Sequence, residues 1–177
     1  MGMLDELRRD AGRLEAHRTS VQDIARLAVT NAAFSSIFIH RISRMLFLRG
    51  HDGLARLVGR VNISLHGIDI HPGASIGPGV LLQHPVGVVI GSATVGPGAT
   101  FMGGVTLGRR DVLHGPDEGM YPTIGEGALL GAQSTVLGPV RVGRGASVGA
   151  GAVVLDDVPD GAVAVGAPAR VVGSTPL

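Results

Sequence analysis

The sequence predicts a parallel β-helix preceded by a short helical segment, and three observations carry that prediction. Six-residue units recur through the C-terminal two thirds, each opened by one aliphatic residue; the clearest are 70–75, 76–81, 95–100, 124–129, 142–147 and 148–153. The chain holds 29 glycines and only 3% aromatic residues, which is odd for an ordinary globular domain and natural for a coil stacked from Ile, Val, Leu and Ala. Before Gly67 the glycine-rich units give way to helix formers.

In chain order, residues 4–13 predict a first helix. Residues 21–48 carry a helical stripe of Ile24, Leu27, Ala28, Phe34, Ile37, Phe38, Ile42 and Met45 that breaks near Asn31, and 54–65 predict a further helix. These helices are expected to cap the open end of the coil and to help oligomerisation, since solenoid ends need covers. Attachment of 34–48 to a membrane surface is disfavoured, because Arg41 and Arg44 are too few for a basic face. The expected division is a helical cap over 1–66, a β-helix over 67–173 and a tail over 174–177.

A period of six fits neither a 3.6-residue helix nor a two-residue alternation, and matches the short repeats of parallel β-helices. Each unit supplies a short strand and a turn. Its opening residue and the small residue four places later point inward, glycines allow the turn angles, and three units close one coil. Openers run Ile70, Ile76, Leu82, then Val95, Phe101, Leu107, then Ile124, Leu130, Val136, Val142, Val148 and Val154. The step from Leu82 to Val95 is one residue beyond two units and predicts a bulge beside His84. The step from Leu107 to Ile124 is eleven beyond one unit and predicts a protruding loop over 109–122, where binding residues commonly sit.

Composition narrows the chemistry. A net charge of +1 gives no argument for nucleic acid. The chain has no cysteine, which excludes disulfides, thiolate metal sites and an acyl-cysteine intermediate. The first ten residues open on charges without the basic-then-apolar order of a secretory signal, and no apolar run of membrane-spanning length follows, so a cytoplasmic protein is the expectation.

His84, lifted out at a register break, is placed to act as a general base near neutral pH. Asp69, fifteen residues earlier and so close to one coil away, could hold one ring nitrogen and orient the other. On spacing alone a structural role for His84 stays open. His71 reads as part of the repeat packing. Asp111, His114 and Asp117 have loop spacing that fixes no ligand geometry, so no metal is expected.

The units 67–74 (Gly-Ile-Asp-Ile-His-Pro-Gly-Ala), 84–91 (His-Pro-Val-Gly-Val-Val-Ile-Gly), 104–108 (Gly-Val-Thr-Leu-Gly) and 165–173 (Val-Gly-Ala-Pro-Ala-Arg-Val-Val-Gly) add a further signal. Over most of 34–173 the chain resembles the serine acetyltransferase branch of the hexapeptide-repeat acyltransferases. The resemblance implies a left-handed β-helix, an exception to the usual right-handed crossover, assembled as a homotrimer. It implies acetyl-CoA as acyl donor, lying between neighbouring coils, with a small-molecule hydroxyl attacking the thioester directly. By motif His84 takes the base position and Asp69 the orienting position, while Gly108, Ala132, Ala150 and Arg170 fall at cofactor positions. Arg144 or Arg141 could also meet CoA phosphates, and backbone N–H groups near Gly103, Gly104 or Gly108 could face the thioester oxygen.

The chain departs from this branch at the acceptor. The branch usually carries Asp directly before the base His and an Arg-His pair before the proline closing the loop; here stand Gln83, and Met120 with Tyr121 before Pro122. These changes weaken the binding expected for a zwitterion, so the acceptor divides between serine or homoserine and a sugar or secondary-metabolite hydroxyl. Gln83, Tyr121 and His114 are the candidate substrate contacts, and Arg109, Arg110, Asp117 and Glu118 are either replacement contacts or a solvated cluster. The shortened N-terminal part implies a single trimer rather than a pair, with Asp10 a possible remnant of a further acid. A catalytically silent scaffold is the reading of another class, although the chain's last residues lack the long tail ending in Ile used to dock cysteine synthase. A carbonic-anhydrase-like β-helix would need metal-binding histidines across an interface.

Overall fold

The computed structural model describes residues 2–15, 20–111 and 120–174. Among these residues four helices come first: α1 (Met3–Leu14), α2 (Val21–Thr30), α3 (Ala32–Leu48) and α4 (Asp52–His66). The stripe over 21–48 does break at Asn31, whose extended backbone ends α2 while its side chain accepts from the Phe34 N–H at 3.0 Å and caps α3.

Fifteen short strands follow: β1 (Asp69–Ile70), β2 (Ser75–Ile76), β3 (Leu81–Gln83), β4 (Val89–Ile90), β5 (Thr94–Val95), β6 (Thr100–Met102), β7 (Thr106–Gly108), β8 (Thr123–Ile124), β9 (Leu129–Leu130), β10 (Thr135–Leu137), β11 (Arg141–Val142), β12 (Ser147–Val148), β13 (Val153–Val154), β14 (Ala162–Val165) and β15 (Arg170–Ser174). They wind as a left-handed prism with three faces. Face A stacks β1, β4, β7, β10 and β13; face B stacks β2, β5, β8 and β11; face C stacks β3, β6, β9, β12, β14 and, antiparallel at its end, β15.

The core is the file of inward openers that the period predicts. Ile70, Ile76, Leu82, Val95, Phe101, Leu107, Ile124 and Leu130 are all buried, with Ala74, Ala99, Ala128 and Ala146 at the small positions. Register differs from the predicted single-residue bulge. Ile90, not counted among the openers, pairs with Ile70 and Leu107 on face A, so the step from Leu82 to Ile90 is two residues longer than one unit and the step from Ile90 to Val95 one residue shorter. The two changes sum to the single extra residue visible in the sequence.

The cap docks by polar chemistry at the open coil edge. Arg41 of α3 is buried, donates to Asp10 at 2.7 and 3.1 Å and to Glu6 at 2.7 Å, and also donates to the carbonyls of Ile76 and Gly77 at 3.3 and 3.2 Å. Arg44 donates to the carbonyls of Gly73 and Ala74 at 2.8 and 2.7 Å. Carbonyls that would otherwise face outward from the first coil are thereby paired. Asp10, read as a possible remnant of a substrate-site acid, accepts from the Gly79 N–H at 2.7 Å and is 2% exposed in this packing. Among the described residues no helix is long and apolar enough to cross a membrane.

Candidate active site

The two extra residues of the second coil are His84 and Pro85. Strand β3 pairs residue for residue with β6, but three steps separate Gln83 from Val86 where one separates Met102 from Gly103, and the surplus is extruded at the edge where face C meets face A. His84 sits there at φ 51°, a left-handed conformation uncommon for a residue with a side chain. The coil above makes room: a Cβ at Gly103 would collide with the His84 carbonyl oxygen. His84 and its neighbour Gln83 are both exposed.

Backbone bonds fix what shares that edge. Gly87 donates to Gly67 at 2.9 Å and Asp69 donates to Val88 at 2.9 Å, which puts Asp69 one coil below and at the start of face A, its side chain outward. Above, Gly104 donates to Val86 at 3.1 Å, Gln133 to Gly103 at 2.8 Å and Gly151 to Ala132 at 2.8 Å. His84, Gln83, Gly103, Ala132 and Ala150 therefore form one column up the edge, with Asp69 at its foot. Among the described residues neither the His84 ring nor the Asp69 carboxylate has a hydrogen-bond partner.

Other predicted residues lie elsewhere. Gly108 closes β7 at the far side of face A, opposite Leu137, and its carbonyl accepts from Gly138 at 3.0 Å. Tyr121 is at that same far edge, half-buried, with its ring lying over Gly91, so that any Cβ at Gly91 would strike it. Arg170 is exposed near the top of the stack, donating to the Ala169 carbonyl at 2.8 Å and 3.7 Å from Asp156. One chain thus brings His84, Asp69, Gln83, Ala132 and Ala150 to one edge and leaves Gly108 and Tyr121 at another. His114 lies outside the described residues. His71 is held by packing: its Nδ1 accepts from the Gly73 N–H at 3.0 Å, lies 2.9 Å from Ser92 Oγ, and its ring meets Phe47 edge-on at 6.2 Å.

The sequence reading missed a cleft of about 580 Å3 between α4 and β1. Arg56, Arg60, Gly59, Ile63, Asp69 and His71 are among its lining residues, and His84 is not. The signal was present in Arg56 and Arg60, one turn apart on a predicted helix with Gly59 beside them.

Comparison with known proteins adds identity to this geometry. A family model described as bacterial transferase hexapeptide (six repeats) matches residues 121–156. A serine acetyltransferase of Mycobacterium tuberculosis is 42% identical over 141 residues, covering 79% of this chain and 60% of the relative. The chain thus spans less than two thirds of that relative's length. The crystal structure of a Brucella abortus serine acetyltransferase in complex with coenzyme A superposes with a TM-score of 0.86 at 31% identity, covering 97% of this chain and 68% of that one. A Neisseria gonorrhoeae serine acetyltransferase in complex with serine superposes with a TM-score of 0.84 at 33% identity, covering 96% of this chain and 68% of that one.

Proposed function

The chain belongs to the serine acetyltransferase family of hexapeptide-repeat transferases, and from that premise we propose that it is an acetyl-CoA-dependent O-acetyltransferase using His84 as general base. The observation that carries the proposal is the extrusion of His84, at positive φ, onto the edge whose foot is Asp69. Strained residues that surrounding packing over-determines concentrate at active sites.

In the proposed reaction an acceptor hydroxyl attacks the thioester carbon as His84 takes its proton. The C–O bond forms, the C–S bond breaks, and the leaving thiolate recovers the proton from the imidazolium, giving the acetyl ester and CoA. Asp69 accepts from the other ring nitrogen and stabilises the charged ring. Ala132 and Ala150, small residues in the His84 column, leave space for the pantetheine arm, and Arg170 offers a cation to its phosphates. A glycine-rich edge lets backbone N–H groups approach the carbonyl oxygen that gains charge.

The helices act as a cap for the first coil, and the assembly is a homotrimer in the cytoplasm. Gly108 and Tyr121 lie one face-width from His84 in a single chain. A threefold arrangement would lay that edge of one copy against the His84 edge of the next and complete the groove.

For the acceptor two readings stand. Serine follows from the family. A different hydroxyl compound is favoured by Gln83, a neutral side chain beside the base, which offers an ammonium group no ionic partner. The test is CoA release from acetyl-CoA with serine, homoserine and a sugar panel, with His84→Ala as control. Release that falls about 10²- to 10⁴-fold in the variant is expected. Unchanged release in His84→Ala would remove His84 from the chemistry, and no release with tight CoA binding would favour a silent scaffold.

A further inference from the structure

The cleft between α4 and β1 carries two arginines against one carboxylate. Arg56 and Arg60 stand one turn apart, both exposed, and among the described residues neither makes a hydrogen bond or ion pair, although the Asp69 carboxylate opens onto the same cleft. Two guanidinium forks at this spacing match the oxygens of a carboxylate or phosphate. Two cations against one carboxylate leave the lining net positive, and Leu57, Ile63, Ile70 and Pro72 give it an apolar floor for a short carbon chain.

The space is made by missing side chains. Gly59 is in the middle of α4, where glycine weakens a helix relative to alanine. Packing does not demand it: the nearest atom to a Cβ there would be the Ile70 carbonyl oxygen at 4.0 Å, and a Cβ at Gly53 would meet nothing within 4 Å. Both glycines line the cleft, so larger residues at either would fill it.

Resting on the acetyl-transfer reading, we infer that this cleft anchors the acceptor: Arg56 and Arg60 hold its carboxylate or phosphate while its hydroxyl reaches past Asp69 toward His84. Asp69 is the one acid among the lining residues and serves the base in the proposed reaction, and Gln83 is neutral, so the preferred acceptor is an anionic hydroxy compound without an ammonium group.

Four three-carbon probes separate the possibilities: glycerate, glycerol 3-phosphate, serine and glycerol. The full chain is assayed for CoA release with each, and calorimetric titration measures binding of the two anions. One anion should exceed glycerol in kcat/KM by at least about tenfold, with serine below it, and which anion leads identifies carboxylate or phosphate. Arg60→Gln should raise KM for that anion about 10- to 100-fold with the KM for acetyl-CoA unchanged, and the R56Q/R60Q pair should abolish the preference over glycerol. Gly59→Leu, which fills the cleft while favouring the helix, should have the same effect without unfolding the protein. Turnover with equal kcat/KM for glycerate, glycerol 3-phosphate and glycerol, or an anion preference that survives both R56Q/R60Q and G59L, overturns the inference, as does failure of the wild type to bind either anion. Anion binding lost in R56Q/R60Q with no CoA release from any probe would instead uphold the site and overturn the transferase reading.

Discussion

His84 carries two burdens at once, a backbone strain and a proposed chemical role, and substitution separates them. A non-glycine residue in the left-handed region costs roughly 1–2 kcal/mol, so His84→Gly should be more stable than His84→Ala by about 1 kcal/mol in chemical denaturation although both lose the ring. Equal stabilities would mean that the turn bears no strain at this residue. His40 makes the opposite kind of prediction. It is 2% exposed, neither ring nitrogen makes a well-formed hydrogen bond among the described residues, and burial followed by the charges of Arg41 and Arg44 outweighs the nearby Ala74 backbone and holds its pKa down to about 3. Between that value and the ordinary 6.5 the unfolded chain binds a proton that the folded chain refuses, so stability is complete above pH 6.5 and falls as pH drops toward 3. The loss due to His40 should reach about 2 kcal/mol by pH 5, measured by urea unfolding, and His40→Leu should flatten it. The sequence set His84 apart because its motif broke the repeat. His40 gave no such signal, since on a helical stripe a buried and an exposed histidine read alike until the packing partner is known.

The cap and the first coil form the next level, and here polar contacts made by the chain's first helix decide the outcome. Asp10, Glu6 and Arg41 join α1 to α3 and to the edge of β2. Removing one partner of a buried pair leaves a charge uncompensated, at a cost of about 3–5 kcal/mol. Asp10→Ala should therefore destabilise by about 3 kcal/mol, with Glu6 retaining part of the interaction, and should raise hydrogen exchange in α1 before the coil. Uniform exchange throughout would mean that cap and coil open as one unit. All four helices and the Asn31 break were legible, because helical periodicity and a capping residue are local signals. The partner of Asp10 was not, since Arg41 lies 31 residues away across a contact that only the packing of α1 on α3 creates. The register carried a subtler ambiguity. A net surplus of one residue between Leu82 and Val95 is compatible with one insertion or with two added and one removed, and only the pairing of Ile90 with Ile70 distinguishes them.

At the scale of the whole molecule, the prism arose from repetition: a motif written many times makes its period visible even when single copies are imperfect. The candidate site is less legible because its proposed parts lie on two edges. Exposed Leu54, Leu57, Val61 and Leu65 along α4 leave an apolar surface on one copy, consistent with the proposed trimer, and a closed ring of heterologous contacts would set one edge of each copy against a different edge of the next. This arrangement can be tested by complementation. His84→Ala removes the base from one edge, and Gly108→Glu puts a side chain and a negative charge on the other, so each variant alone should be inactive. Unfolded together in equal amounts and refolded, they should form mixed trimers in which about a quarter of the sites draw an intact His84 from one copy and an intact Gly108 from its neighbour. Recovery near that fraction, with a trimer mass by light scattering, would place the groove between copies. No recovery from trimers of proven mixed composition would mean that each chain completes its own site, and that Gly108 acts beside the His84 of its own chain.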